Sequence, residues 1–158
     1  MISLPQTECL ACDLLSGARP LPGGRLHQTA HWVVEHTVGP LGVGTLVVKP
    51  IRHVLHLADL SKAESAELGP LLHQTAAAVT EVMDPEQVYT CLWSHAGAVP
   101  GHIHFVVQPI TLEVMTRFSA FGPGLQTALF REGTLPDPDE VTLICARIRT
   151  ASAWSSSS

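Results

Sequence analysis

The segment Gly101-His102-Ile103-His104-Phe105-Val106-Val107-Gln108-Pro109 is rich in β-branched and aromatic residues and closes on a proline, so 102–108 is expected to be a strand. Alternate side chains of a strand share a face, which puts His102 and His104 on one surface and Ile103 and Phe105 on the other. Two imidazoles side by side are either exposed surface histidines or a ligand beside a reactive ring. Just upstream, Val88-Tyr89-Thr90-Cys91-Leu92-Trp93 gives another strand signal. The connection over 94–101 is short enough for the two to pair as neighbours, and its Gly97, Pro100 and Gly101 suggest a loop with a task beyond turning the chain.

Further toward the N-terminus, 25–29 and 31–38 form an expected antiparallel pair, and Thr45-Leu46-Val47-Val48-Lys49 is a buried strand stopped by Pro50. Ser61-Lys62-Ala63-Glu64 is a capping box. The stripe Ala66, Leu68, Leu71, Leu72, Ala76, Val79 and Val82 extends that helix to Asp84-Pro85, with a kink or split expected at Gly69-Pro70. Downstream, helices are expected over 111–131, broken at Gly122-Pro123-Gly124, and over 138–150. Leu112, Val114, Met115, Phe118 and Phe121 are too apolar for a solvated extension, so this region is expected to pack on the sheet or on a second subunit, and a homodimer is the expected assembly. The organisation is one α+β domain over 1–150, with a low-complexity, disordered tail over 151–158.

Composition narrows the function. With a formal charge of −5, an isoelectric point near 5.9 and scattered lysines and arginines, the chain lacks the basic footprint of a nucleic-acid binder. Small phosphorylated ligands stay open, because backbone N–H groups and a few polar side chains can hold them. No apolar run is long enough to span a bilayer and the first residues do not read as a signal peptide, so a cytoplasmic protein that does not enter the membrane is expected. Nine histidines are many for 158 residues, and asparagine is absent. Cys9-x-x-Cys12 offers two thiolates, for which His53 and His102 are candidate third and fourth ligands of a structural zinc. A thiol redox pair is the competing reading, weakened by the lack of a preceding strand and a following βαβ unit. Cys91 and Cys145 are expected to be core thiols.

Lys49-Pro50-Ile51-Arg52-His53, Leu57-Ala58-Asp59-Leu60-Ser61 and the 101–109 segment, in that order and spacing, resemble the histidine triad (HIT) superfamily across roughly residues 8–110. The resemblance implies a HIT-like fold, a mostly antiparallel five-stranded sheet with a long capped helix, here followed by extra C-terminal helices over 111–150. It also implies a nucleotide hydrolase or nucleotidyl transferase in which His104 attacks an α-phosphate and carries the nucleotide as a phosphoramidate. The substrate would be a nucleoside phosphate ester, an anhydride or a dinucleoside polyphosphate. Cys9, Cys12, His53 and His102 resemble the zinc site of bacterial HIT proteins and of the related galactose-1-phosphate uridylyltransferases. There the first motif histidine holds metal and the second meets substrate.

The chain departs from the motif at Val106, where the third histidine would stand, and at Ala98-Val99-Pro100-Gly101, where the family carries polar phosphate and ribose contacts. Charge stabilisation would pass to loop N–H groups, Ser94, His95 and Gln108, with His95 the proton donor to the leaving group or else simply an exposed loop histidine. Trp32 and Val33 lie on a strand that in the family borders the base pocket, and Trp32 is equally readable as core. A catalytically weak, zinc-stabilised nucleotide-binding module is the alternative function.

Overall fold

The computed structural model describes residues 9–93, 95–96 and 99–155, without the side chains of 95, 96 and 99. The strands are β1 (Arg25–Gln28), β2 (Trp32–His36), β3 (Leu46–Pro50), β4 (Gln87–Leu92), β5 (His95–Ala96), β6 (Val99–Pro100) and β7 (Phe105–Ile110). The helices are α1 (Leu10–Ser16), α2 (Lys62–Met83), α3 (Leu112–Phe118), α4 (Gly122–Glu132) and α5 (Pro138–Arg149). Five strands make one antiparallel sheet in the order β1-β2-β3-β7-β4, and β5 and β6 form a small hairpin of their own. This is the expected α+β, five-stranded HIT-like sheet. No described helix is long and apolar enough to cross a membrane.

Alternation sorts the sheet into two faces. Trp32, Val34, Leu46, Val48 and Val107 face one core with Leu71, Ala78 and Val79 of α2 and Val141, Ile144, Cys145 and Ile148 of α5. Val106 and Ile110 face a second core with Leu41 and with Leu125 and Leu129 of α4. Val114, Met115 and Phe118 of the apolar C-terminal region pack against this second core, whereas Leu112 and Phe121 stay exposed.

The capping box forms as expected: Glu64 N donates to Ser61 Oγ at 3.1 Å and Ser61 N to Glu64 Oε2 at 2.7 Å. α2 is not split at Pro70. Gly69 and Pro70 lie on its exposed side, where water can take the carbonyl that proline leaves unpaired, while Leu71, Thr75, Ala78 and Val79 hold the buried side. The final strand begins at Phe105, not at His102, and continues through Pro109 to Ile110. Proline is tolerated because β3 pairs only with 105–107, so at 109 β7 has β4 on one side and no ladder on the other. Part of the segment expected to be a disordered tail is ordered. Ser152–Ser155 form a 3-10 turn in which Trp154 stacks on His27 at 4.6 Å; 156–158 lie outside the described residues.

Candidate metal centre and reactive histidine

Four ligand atoms from three distant segments converge. Cys9 caps the N-terminus of α1, accepting from Cys12 N at 3.5 Å, so one turn of backbone presents both thiols. His53 follows β3, in a segment held from both sides. Arg52 Nε and Nη2 donate to Glu64 Oε1 and Oε2 at 2.9 and 2.8 Å, and Ile103 N donates to Val54 O at 2.8 Å. His102 is 4% exposed, and its Nε2 hydrogen-bonds Pro50 O at 2.8 Å, which turns Nδ1 toward the thiols.

The sulfurs and ring nitrogens of Cys9, Cys12, His53 and His102 all lie within 4.8 Å of one another. Cys12 Sγ is 3.3 Å from His53 Nδ1 and 3.6 Å from His102 Nδ1, and Cys9 Sγ is 3.8 Å from His102 Nδ1. Tetrahedral zinc with ordinary Zn–S and Zn–N bonds has sulfur–nitrogen edges of about 3.5 Å, so the four residues fit that ion. Electrostatics agree with the fit. Burial, with the positive charges of His53, Lys49 and His104 assisting and the Pro50 hydrogen bond opposing, lowers the His102 pKa to about 4, keeping the ring in its ligating neutral form. Burial, followed by the hydrogen bond and charge of Cys9, pushes the Cys12 thiol up to about 11. Metal ligation and disulfide exchange both need the thiolate, so this shift does not separate them; the two imidazoles beside the thiols do, because they complete a metal donor set.

His104 stays out of this cluster. Its Nδ1 hydrogen-bonds the carbonyl of His102 at 3.1 Å, the half-buried ring is thereby oriented, and Nε2 makes no hydrogen bond among the described residues. A carbonyl on one nitrogen leaves the other as the basic, nucleophilic one.

Other expected site residues fall elsewhere. Trp32 is fully buried in the first core, with Nε1 donating to Glu64 O at 2.9 Å, and Val33 is fully buried too, so neither offers a face to a base. Gln108 does lie on the Val106 face, but it is buried and its amide is spent: Nε2 donates to Leu41 O at 2.9 Å and Oε1 accepts from Gln126 at 3.1 Å. Ser94 and the side chain of His95 lie outside the described residues. Cys145 is buried as expected, whereas Cys91 is half-buried and accepts from Gln126 Nε2. A nucleophilic imidazole calls for a backbone carbonyl on its other nitrogen, but which carbonyls serve, those of His102 and Pro50, has no residue-type signal.

No protein-family model and no curated protein matches the sequence. Solved structures do match. A zinc-bound histidine triad family protein from Mycobacterium smegmatis is 20% identical with a TM-score of 0.65, over 94% of this chain and 95% of that one. A Hit-like protein from Bartonella henselae, described as involved in cell-cycle regulation, has a TM-score of 0.68 at 13% identity, over 92% and 98% of the two chains. A hypothetical histidine triad nucleotide-binding protein from Sulfolobus tokodaii has a TM-score of 0.66 at 15% identity, over 89% of each. With its sheet, capped helix and Cys2His2 cluster in place, this chain has the fold of the histidine triad proteins.

Proposed function

We propose that this protein is a HIT-type nucleotide hydrolase or nucleotidyl transferase with His104 as its nucleophile. The observation that carries the reading is the His104 ring, oriented through Nδ1 by the His102 carbonyl and separate from the metal cluster. Nε2 attacks the α-phosphorus of a nucleoside phosphate ester, anhydride or dinucleoside polyphosphate. A P–N bond forms as the P–O bond to the leaving group breaks; water or another acceptor then forms a new P–O bond and releases the imidazole. His95 protonates the departing oxygen, and Ser94 with the N–H groups of the 94–101 loop holds the phosphoryl oxygens.

Zinc bound by Cys9, Cys12, His53 and His102 supplies a structural cross-link, tying α1 to the segments on either side of the reactive histidine. His102 is thereby the brace for its neighbour: its side chain is taken by the metal and by Pro50, and its carbonyl orients His104. A homodimer suits the free outer edge of β4, which borders an open groove of about 490 Å³ lined by Tyr89, Trp93, Gly122 and Pro123. The unpaired thiols suit a cytoplasmic setting.

Zinc-loaded protein is expected to release a nucleoside monophosphate from at least one member of a panel of nucleoside phosphoramidates, nucleotide esters and dinucleoside polyphosphates. His104→Ala should abolish this with the zinc content unchanged. A His104→Ala variant that retains turnover overturns the assignment, and tight nucleotide binding without turnover in the wild type favours the non-catalytic binding module.

A further inference from the structure

Two buried charged residues are neither metal donors nor reactive groups in the site described so far. Glu35 on β2 is 2% exposed and Lys49 on β3 is 1% exposed. Lys49 Nζ donates to Glu35 Oε1, and Glu35 Oε2 has no hydrogen-bond partner among the described residues. Desolvating such a pair costs several kcal/mol per ion, which the mutual attraction repays only when every remaining polar atom is satisfied. Here one is not, so the pair is poorly explained as a device for stability.

Its position suggests another use. Val48 pairs with Phe105, and the carbonyl of Pro50 meets His102 Nε2. These two contacts bracket Lys49 and lay it alongside His104. Lys49 also stands on the same sheet face as Val47, whose partner is Val106 at the third motif position. Glu35 is one strand further out, since β2 pairs with β3 on the side away from β7. Of the pair, Lys49 is therefore the member carried on the strand next to β7.

We propose that Lys49, held by Glu35, is an electrostatic positioning residue for an anionic phosphoryl group bound at His104, standing in for the donors lost with the third motif histidine. This rests on His104 being the phosphate-facing residue. A buried ammonium in a low-dielectric wall acts on a nearby anion without touching it, and it needs no reorganisation when the anion arrives. The substrate class that benefits carries its negative charge on phosphorus, so the base and ribose alone gain nothing from Lys49.

The test is calorimetry on zinc-loaded protein with AMP and GMP, each compared with its nucleoside. Lys49→Met alone leaves Glu35 buried without a counter-ion and risks misfolding, so it is paired with the double variant Lys49→Met/Glu35→Leu, which removes both charges at similar volume. The double variant is expected to fold and hold zinc. It should bind the nucleotides at least tenfold more weakly than wild type while leaving any nucleoside affinity within twofold. Nucleotide affinity within twofold of wild type in the folded double variant overturns the role of Lys49 and leaves the His104 reading standing. A wild type that binds neither nucleotide overturns the nucleotide reading itself and this assignment with it.

Discussion

The sheet face that carries Val106 is finished in two different ways at its two ends. Toward Ile110 the chain completes itself: Leu41, Leu125 and Leu129 close over Val106 and Ile110, and Gln108 and Gln126 satisfy each other and the Leu41 carbonyl. Toward His104, side chains from α1, the segment after β3 and the approach to β7 gather two thiols and two imidazoles whose geometry suits an ion. The first end is held by burial and needs no ligand; the second holds two thiols and two imidazoles in contact at 3.3 to 3.8 Å, the donor set of a metal ion. Val106 belongs to the sealed end. A histidine there would be driven into an apolar cluster under α4, which gives the altered motif a structural reason in this chain.

Removing the ion should produce the largest effect on this contrast. Chelation, or Cys12→Ser, is expected to eliminate about one equivalent of zinc per chain, measurable by metal analysis. It should lower the melting temperature by ~10 °C or more, since the site closes long loops with a high-affinity ion. A melting temperature unchanged by metal removal would mean that both ends are self-sufficient.

Restoring the motif probes the sealed end. Val106→His should cost about 2 to 4 kcal/mol in chemical denaturation, because it overpacks a buried position and introduces a ring without a partner. It should not increase turnover. A stable, faster Val106→His protein would show that the phosphate site extends under α4 after all.

The smallest effect concerns the clamp beside His53. The Arg52 guanidinium, with the Ser61 N–H next, holds the Glu64 carboxyl down to about 2, against 4.5 as its ordinary value. A carboxylate depressed in the folded state contributes stability that is fully present above pH 4.5 and is lost as pH falls toward about 2. With Arg52 half exposed to solvent, screening reduces that contribution to about 1 kcal/mol. Glu64→Gln should therefore lower stability at pH 7 by this amount and flatten the acid limb of the stability profile, read by denaturation at a series of pH values.

Much of the fold was legible because its signals are local. The capping box at Ser61 and Glu64, the β-branched runs of β2 and β3 and the proline and glycine breaks each report on a few adjacent residues. Of the candidate centre, Cys9, Cys12, His53 and His102 could be nominated from their chemistry, and their convergence is seen in the folded chain. Trp32 shows the limit: the same indole suits a base pocket or a core, and only its burial under α2 decides. The strand assigned to His102 and His104 failed for a related reason. Pattern reads side-chain direction, but pairing ends where β3 ends, and both rings are held by single carbonyl contacts instead of a ladder.

By itself the amino-acid order determined most of the strands and helices, the metal-type donors and the pairing of two histidines two residues apart, since each depends on residue type and near-neighbour spacing. Tertiary structure alone decided that Gln108 and Trp32 are buried, that α4 covers Val106, and that Lys49 is buried against Glu35. Those outcomes depend on which strands become neighbours and how far each pairing runs, and that is set by the competition among all the buried surfaces at once.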